Sequence, residues 1–174
     1  MLSGKKTYLR AIEKDDLPIL LNWRNKPHMR KFFREYRELG DDQQMTWYQN
    51  IVLGDDRVRM FAILNSEKQL IGACGLCYID WVNRNADFSI YIGHNDIYID
   101  DDLAIDVSNI MIKYAFEELN LHRLWAEIYD IDSSKTKMFN TLGFKLDGRH
   151  RETHWAEGKW CDSLFFGLLS TDKR

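Results

Sequence analysis

Apolar and polar residues alternate along Phe88-Ser89-Ile90-Tyr91-Ile92-Gly93, the two-residue period of a strand with one buried face. An acidic loop carrying Asp96, Asp100, Asp101 and Asp102 follows. The period then changes: Leu103, Val107, Ile110, Met111, Tyr114 and Ala115 fall on one face of a helix. Asp102 sits where that helix begins, and its carboxylate is expected to cap the free N–H groups there. A second strand is predicted over Arg123–Tyr129, and a short helix closes the unit before Leu142-Gly143-Phe144, with Gly143 as its stop. The stretch from Ala86 to Gly143 is thus a strand, loop, helix, strand, helix crossover, whose loops are where a ligand would bind.

The flanking pattern supplies further elements. Thr7 to Ile12 reads as a first strand, and Glu13-Lys14-Asp15-Asp16 as the entry to a helix carrying Leu17, Leu20, Leu21 and Trp23. Pro27 turns the chain. The run Met29 to Arg37 mixes aromatic and charged residues, as a solvated helix face or as a pocket wall would. A second helix is predicted from Asp41-Asp42 through Val52. Val58–Leu64 and Leu70–Ile79 form a hairpin about Asn65–Lys68, with Gly72 and Gly75 marking a bulge or close packing. A terminal hairpin is predicted from Phe144–Thr153 and Trp160–Leu169, turning at Ala156–Lys159. The order βααβββαβαββ is that of an α/β (α+β) fold, a mixed sheet with helices on both faces.

With 174 residues, 45% hydrophobic and 13% aromatic, the chain can bury a core as one domain spanning 1–174. A net charge of −3 and the lack of a basic stripe argue against nucleic acid as a partner. No apolar run approaches the ~20 residues of a membrane span, and Met1 to Lys6 has no signal-peptide core. Three cysteines are too few for a disulfide framework, so a reducing cytoplasm is expected.

Several constellations have simple structural explanations. Cys74 and Cys77 have the spacing of a redox pair but lie within a predicted strand, not at a helix start, and are read as buried thiols. His150 and His154 are four apart, a spacing that converges on a helix but not on the predicted strand. The acidic loop lacks the ligand alternation of a calcium hand. No metal site is expected.

Four segments carry a resemblance to a known family: Asn22-Trp23-Arg24-Asn25, Asp87 to Gly93, Tyr114 to Arg123, and Leu142 to Lys145, with the ending Gly148 to Ser163. The chain resembles the GCN5-related N-acetyltransferases, in the branch like ribosomal-protein alanine acetyltransferases. The resemblance implies a mostly antiparallel sheet whose central strand pair splays, with acetyl-CoA as co-substrate in the gap. It implies backbone groups of Tyr91 and Ile92 near the thioester, and a pyrophosphate loop over Ile99 to Ala104 that includes Asp102, Leu103 and Ala104. Here Ile99 and Asp102 replace the family's Arg or Gln and its central Gly. Asp132 stands where the family often has Asn, and Phe139 where it often has the Tyr that protonates the departing thiolate.

On this reading Lys135 and Lys137 meet CoA phosphates. Glu35, Asp80 or Ser89 assists deprotonation, and Tyr36 or Tyr129 supplies the acid. Trp23, Arg24, Tyr36, Asp80 and Trp81 border the acceptor. The acceptor would be a primary amine of a small molecule or a protein N-terminus, and the protein a possible homodimer. Two other functions fit the acidic loop: a binding module without catalysis, and a site for a cation such as a polyamine.

Overall fold

The computed structural model describes residues 1–172. Its elements are β1 (Leu2–Ser3), β2 (Tyr8–Ala11), α1 (Leu17–Asn25), α2 (Pro27–Arg30), α3 (Asp41–Trp47), β3 (Arg59–Leu64), β4 (Leu70–Asp80), β5 (Asn85–Ile92), α4 (Leu103–Lys113), β6 (Arg123–Tyr129), α5 (Ser133–Thr141), β7 (Lys145–Ala156) and β8 (Lys159–Leu169). The strands form one eight-stranded sheet in the order β1-β2-β3-β4-β5-β6-β8-β7, antiparallel except between β5 and β6.

Alternation on β5 and β6 separates two environments. Phe88, Ile90, Ile92, Leu124, Ala126 and Ile128 are buried with Val107, Ile110, Met111, Met138 and Phe139, so α4 and α5 cover one face. Tyr91 and Ala73 pack with Leu17, Leu20 and Met29, so α1 and α2 cover the other. The predicted stripe of α4 is therefore its packing face, with Tyr114 partly buried beside it. Gly143 stops α5 in the left-handed region (φ 83°), where a side chain would be strained.

The structure resolves two open readings and corrects a third. The run from Met29 leaves the helix after Arg30, and Phe32 and Phe33 turn inward against the second core. Gly72 and Gly75 mark close packing: a Cβ on Gly72 would strike the carbonyl of Tyr91, and one on Gly75 the backbone of Arg59 and Met60. The β3–β4 register also shifts beside Gly72, where Ile63 and Leu64 face Gly72 and Leu70, and the β4–β5 register shifts again between Cys77 and Asp80. Finally, β7 runs past Thr153 to Ala156, with register shifts on either side of its central part and a positive φ at Glu152. Glu157 and Gly158, both at positive φ, then form the two-residue turn that matches strand twist.

The N-terminal segment is held by one carboxylate. Asp106 on α4 accepts the backbone N–H groups of Lys5, Lys6 and Thr7 at 3.0, 2.9 and 2.9 Å, and the Thr7 hydroxyl at 2.7 Å. Burial pushes its carboxyl up, but these donors outweigh burial and hold it below the usual carboxylate range. A depressed folded pKa gives stability that is present above the unfolded value and lost as pH falls through the folded one. Asp106→Asn is therefore expected to lower unfolding free energy by about 2 kcal/mol at pH 7. Urea denaturation of both proteins should show that difference shrinking as pH drops through the acidic range.

Candidate active site

β5 and β6 pair only at Asn85–Arg123, Ala86–Leu124 and Asp87–Trp125. Beyond that point β6 stays zipped to β8 as far as Tyr129, and β5 stays zipped to β4 as far as Ile92. The two strands thus part into a wedge whose apex is Asp87 and Trp125. Which peptide groups face the wedge follows from the ladder. Gly93 N–H donates to Ile71 on β4, while Ile92 N–H donates away from β4, to the carbonyl of Tyr98, both at 2.8 Å. By antiparallel alternation the peptide of Ile90 faces the wedge and that of Tyr91 faces β4. The expectation for Tyr91 is corrected on this ground, and the N–H of Ile92 already has an acceptor.

The same alternation puts Asp87, Ser89, Tyr91, Trp125, Glu127 and Tyr129 on the face toward α1 and α2. Two adjoining cavities of about 440 and 380 Å³ open on this face and share Arg24, Phe33, Glu35, Trp47 and Ser89 in their walls. The irregular segment after α2 roofs them. Phe32 stacks on Tyr98 at 4.6 Å, and Phe33 meets the edges of Tyr91 and Tyr98 at 5.4 and 6.0 Å. Lys31 pairs with Glu157 at 2.9 Å, and its carbonyl lies 3.1 Å from His154 Nε2. Arg34 reaches the wedge apex and pairs with Asp87 at 2.7 Å and Glu127 at 3.2 Å.

The expected acceptor residues divide. Arg24 lines both cavities, its guanidinium 5.2 Å from the Phe33 ring. Trp23 packs against Gly93, where a Cβ would run into its indole. Tyr36 is 76% exposed, and Trp81 is a solvent-facing ring with Arg59 above it. Asp80 is a turn residue that accepts from the N–H groups of Val82 and Asn83. Tyr36, Asp80 and Trp81 are thus not brought to the cavities, because the loops that carry them turn outward.

Of the expected catalytic groups, Ser89 and Glu35 line both cavities. The Glu35 carboxylate is bound by the Arg37 guanidinium and backbone, which hold its pKa down to about 2, so it is a poor proton acceptor. Tyr129 lies flat on His154 at 3.6 Å, and burial raises its phenol pKa.

The loop before α4 also differs from expectation. Asp100, not Asp102, occupies the helix start: its Oδ1 accepts from the N–H groups of Asp102 and Ala104 at 2.8 and 3.1 Å. Asp102 instead turns outward to Lys6, and Asp101 pairs with Lys137, each at 2.5 Å. A carboxylate two residues before Asp102 can close an Asx turn onto these N–H groups, and Lys6 holds the Asp102 carboxylate away from them. Leu103 starts the helix and Ala104 is buried beneath it.

At the start of α5, Asp132 caps the helix through the N–H of Lys135 at 2.9 Å. Burial pushes the Asp132 carboxyl up and the Lys135 ammonium down, with each opposed by the other's charge. Lys135 lines the apex cavity 5.1 Å from the Tyr98 ring, and burial and the neighbouring Asp132 carboxylate push the Tyr98 phenol pKa up. Phe139 lies on the opposite face of the sheet, wholly buried among Phe88, Phe144 and Phe166. Burial also raises the thiol pKa of Cys74, and that of Cys77 to about 12, so neither is a reactive thiolate at neutral pH.

Sequence reasoning missed Arg34, Tyr78, Asp87, Trp125 and Glu127. Asp87 and Glu127 had a legible signal, being polar residues in phase with Ser89 and Tyr129 on strands whose other face is wholly apolar. Arg34 had none, because the segment carrying it has no period.

The geometry has counterparts among known proteins. A relative from Bacillus licheniformis, an uncharacterized N-acetyltransferase p20, is 26% identical over 174 residues, covering 98% of this chain and 97% of its own. Spermidine N(1)-acetyltransferase of Vibrio cholerae is 26% identical over 155 residues, covering 88% of this chain and 87% of its own. A crystal structure of spermidine N-acetyltransferase from Vibrio cholerae, in complex with CoA and spermine, superposes with a TM-score of 0.85 at 25% identity, covering 95% of this chain and 96% of that one. No helix among the described residues is long and apolar enough to cross a membrane. The model of the acetyltransferase (GNAT) domain matches residues 6–145, and with the parted strands at its centre the chain belongs to that acetyltransferase family.

Proposed function

We propose that this protein transfers the acetyl group of acetyl-CoA to a primary amine of a small polycation of the polyamine class. The observation that carries the reading is the wedge. An extended pantetheine arm fits a gap between strands that offers the free peptide edge of Ile90, and the thioester then lies toward the apex at Asp87 and Trp125. The relatives named for spermidine support the choice of acceptor.

The reaction needs a neutral amine, a donor near the thioester oxygen and a route for the amine proton. Attack of the amine nitrogen on the thioester carbonyl forms the amide and expels the CoA thiolate. Ser89 and Glu127 stand in the apex cavity, where they can order a water that takes the amine's proton. Glu35 contributes charge rather than basicity, since Arg37 keeps it ionised. Tyr129 remains protonated at neutral pH and can return a proton to the thiolate. The CoA diphosphate meets Asp100 at the start of α4, so binding requires that carboxylate to withdraw.

A thiol-release assay with acetyl-CoA and spermidine tests the reading. Free CoA is expected to appear only when both are present, with N-acetylspermidine as the second product by mass spectrometry. The absence of both transfer and calorimetric CoA binding would refute it.

A further inference from the structure

The apex of the wedge holds a guanidinium in a setting built for a cation. Arg34 donates to Asp87 Oδ2 through Nη1 at 2.7 Å and to Glu127 Oε2 through Nε at 3.2 Å. Its guanidinium carbon lies 5.7 and 5.8 Å from the ring centres of Tyr78 and Trp125. Those rings are 6.4 Å apart and nearly parallel, with an interplanar angle of 17°. Two carboxylates and two aromatic faces are what a primary ammonium or a guanidinium needs for recognition.

All four surrounding residues sit on strands of the sheet. Glu127 is oriented from behind by the Ser163 hydroxyl, which donates to Oε1 at 2.6 Å, and Ser163 is fully buried. Asp87 and Trp125 are the last paired residues before the strands part. Tyr78 is presented by the β4 bulge at φ 51°, a backbone region that bulky side chains rarely adopt. Strain of this kind persists at sites where a side chain must be re-aimed. The two sides of the cage also differ in accessibility. The Asp87 and Glu127 side chains are 6% and 23% exposed, whereas that of Arg34 is 40% exposed. Arg34 enters from solvent on an irregular segment, like a detachable ligand.

We propose that Asp87, Glu127, Tyr78 and Trp125 form an alkylammonium subsite, and that Arg34 is its resident cation, which an incoming amine must replace. That this amine is the acetyl acceptor rests on the reading given above. The cage also sets a chemical requirement: the bound group must be a primary ammonium or guanidinium that can meet two carboxylates and two ring faces. Apparent affinity is then reduced by the fraction of time Arg34 fills the site.

Calorimetric titration with spermidine, without CoA, measures the proposal directly. Arg34→Gln is expected to bind spermidine about tenfold more tightly than wild type, as it would if Arg34 holds the site about nine-tenths of the time. Adding Asp87→Asn to that variant should abolish the gain. Unchanged or weaker binding by folded Arg34→Gln would overturn the proposal and leave Arg34 a structural ion pair. Should Arg34→Gln fail to fold, Arg34→Lys keeps a cation for Asp87 with a shorter reach. Methylguanidinium should then raise the Tm of that variant and not of wild type, and an equal response from both would refute the idea. CoA binding and thiol release, run separately on wild type, report on the acetyltransferase reading, so failure of one is distinguishable from failure of the other.

Discussion

Asp100→Gly is expected to tighten CoA binding about tenfold, a gain of ~1.4 kcal/mol. The start of a helix offers free N–H groups and a partial positive charge, the natural seat of a diphosphate. In this protein the Asp100 carboxylate holds the N–H groups of Asp102 and Ala104, so it competes with a diphosphate both for donors and by charge. Glycine removes both obstacles. The same change costs the cap, roughly a few tenths of a kcal/mol of stability, so Tm should fall slightly as affinity rises. Asp102→Gly is the control: its carboxylate faces Lys6 and is largely exposed, so a much smaller effect on CoA is expected. Calorimetric titration of the three proteins at two ionic strengths decides the matter. Weaker CoA binding by Asp100→Gly would place that carboxylate among the groups that hold the ligand.

Phe139→Ala is expected to lower unfolding free energy by about 3–5 kcal/mol, the largest stability effect foreseen for a single position. Phe139 is fully buried, with Phe144 at 4.8 Å, Phe166 at 5.6 Å and Phe88 at 6.3 Å between ring centres. Those partners come from β5, β8 and the turn after α5, so the cavity would lie where the far side of the wedge is held. Phe139→Tyr separates structure from chemistry. It adds the hydroxyl that the family resemblance implies at this position, and placing it in the apolar cluster is expected to cost stability without raising turnover. Urea denaturation and the thiol-release assay, run on both variants, check this. A gain in turnover for Phe139→Tyr would show that the ring can reach the wedge.

Much of the architecture was legible from the chain alone. The switch from a two-residue to a 3.6-residue period after Gly93 located β5 and α4, because burial of one face is a local pattern that any core imposes. Gly143 was legible for the same reason, since a helix stop is settled by the residue's own backbone freedom. Alternation on β5 and β6 also carried the polar face, through Asp87, Ser89 and Glu127, although the phase becomes meaningful only once the opposite face is known to meet α4.

What the sequence could not decide depends on distances between segments far apart in the chain. Asp100 and Asp102 are both sound helix caps by composition. Asp100 captures the N–H groups because Lys6, from the N-terminal segment that Asp106 anchors, draws Asp102 outward. Phe139 was read against a family position, but packing among three other rings, contributed from both sides of α5 in sequence, fixes it in the core. Arg34 lies on a segment with no period and reaches Asp87, 53 residues away, and Glu127, 93 residues away. Local patterning determined which residues are buried; only the tertiary structure determined which charges meet, because charge pairing is set by through-space separation and leaves no period in the chain.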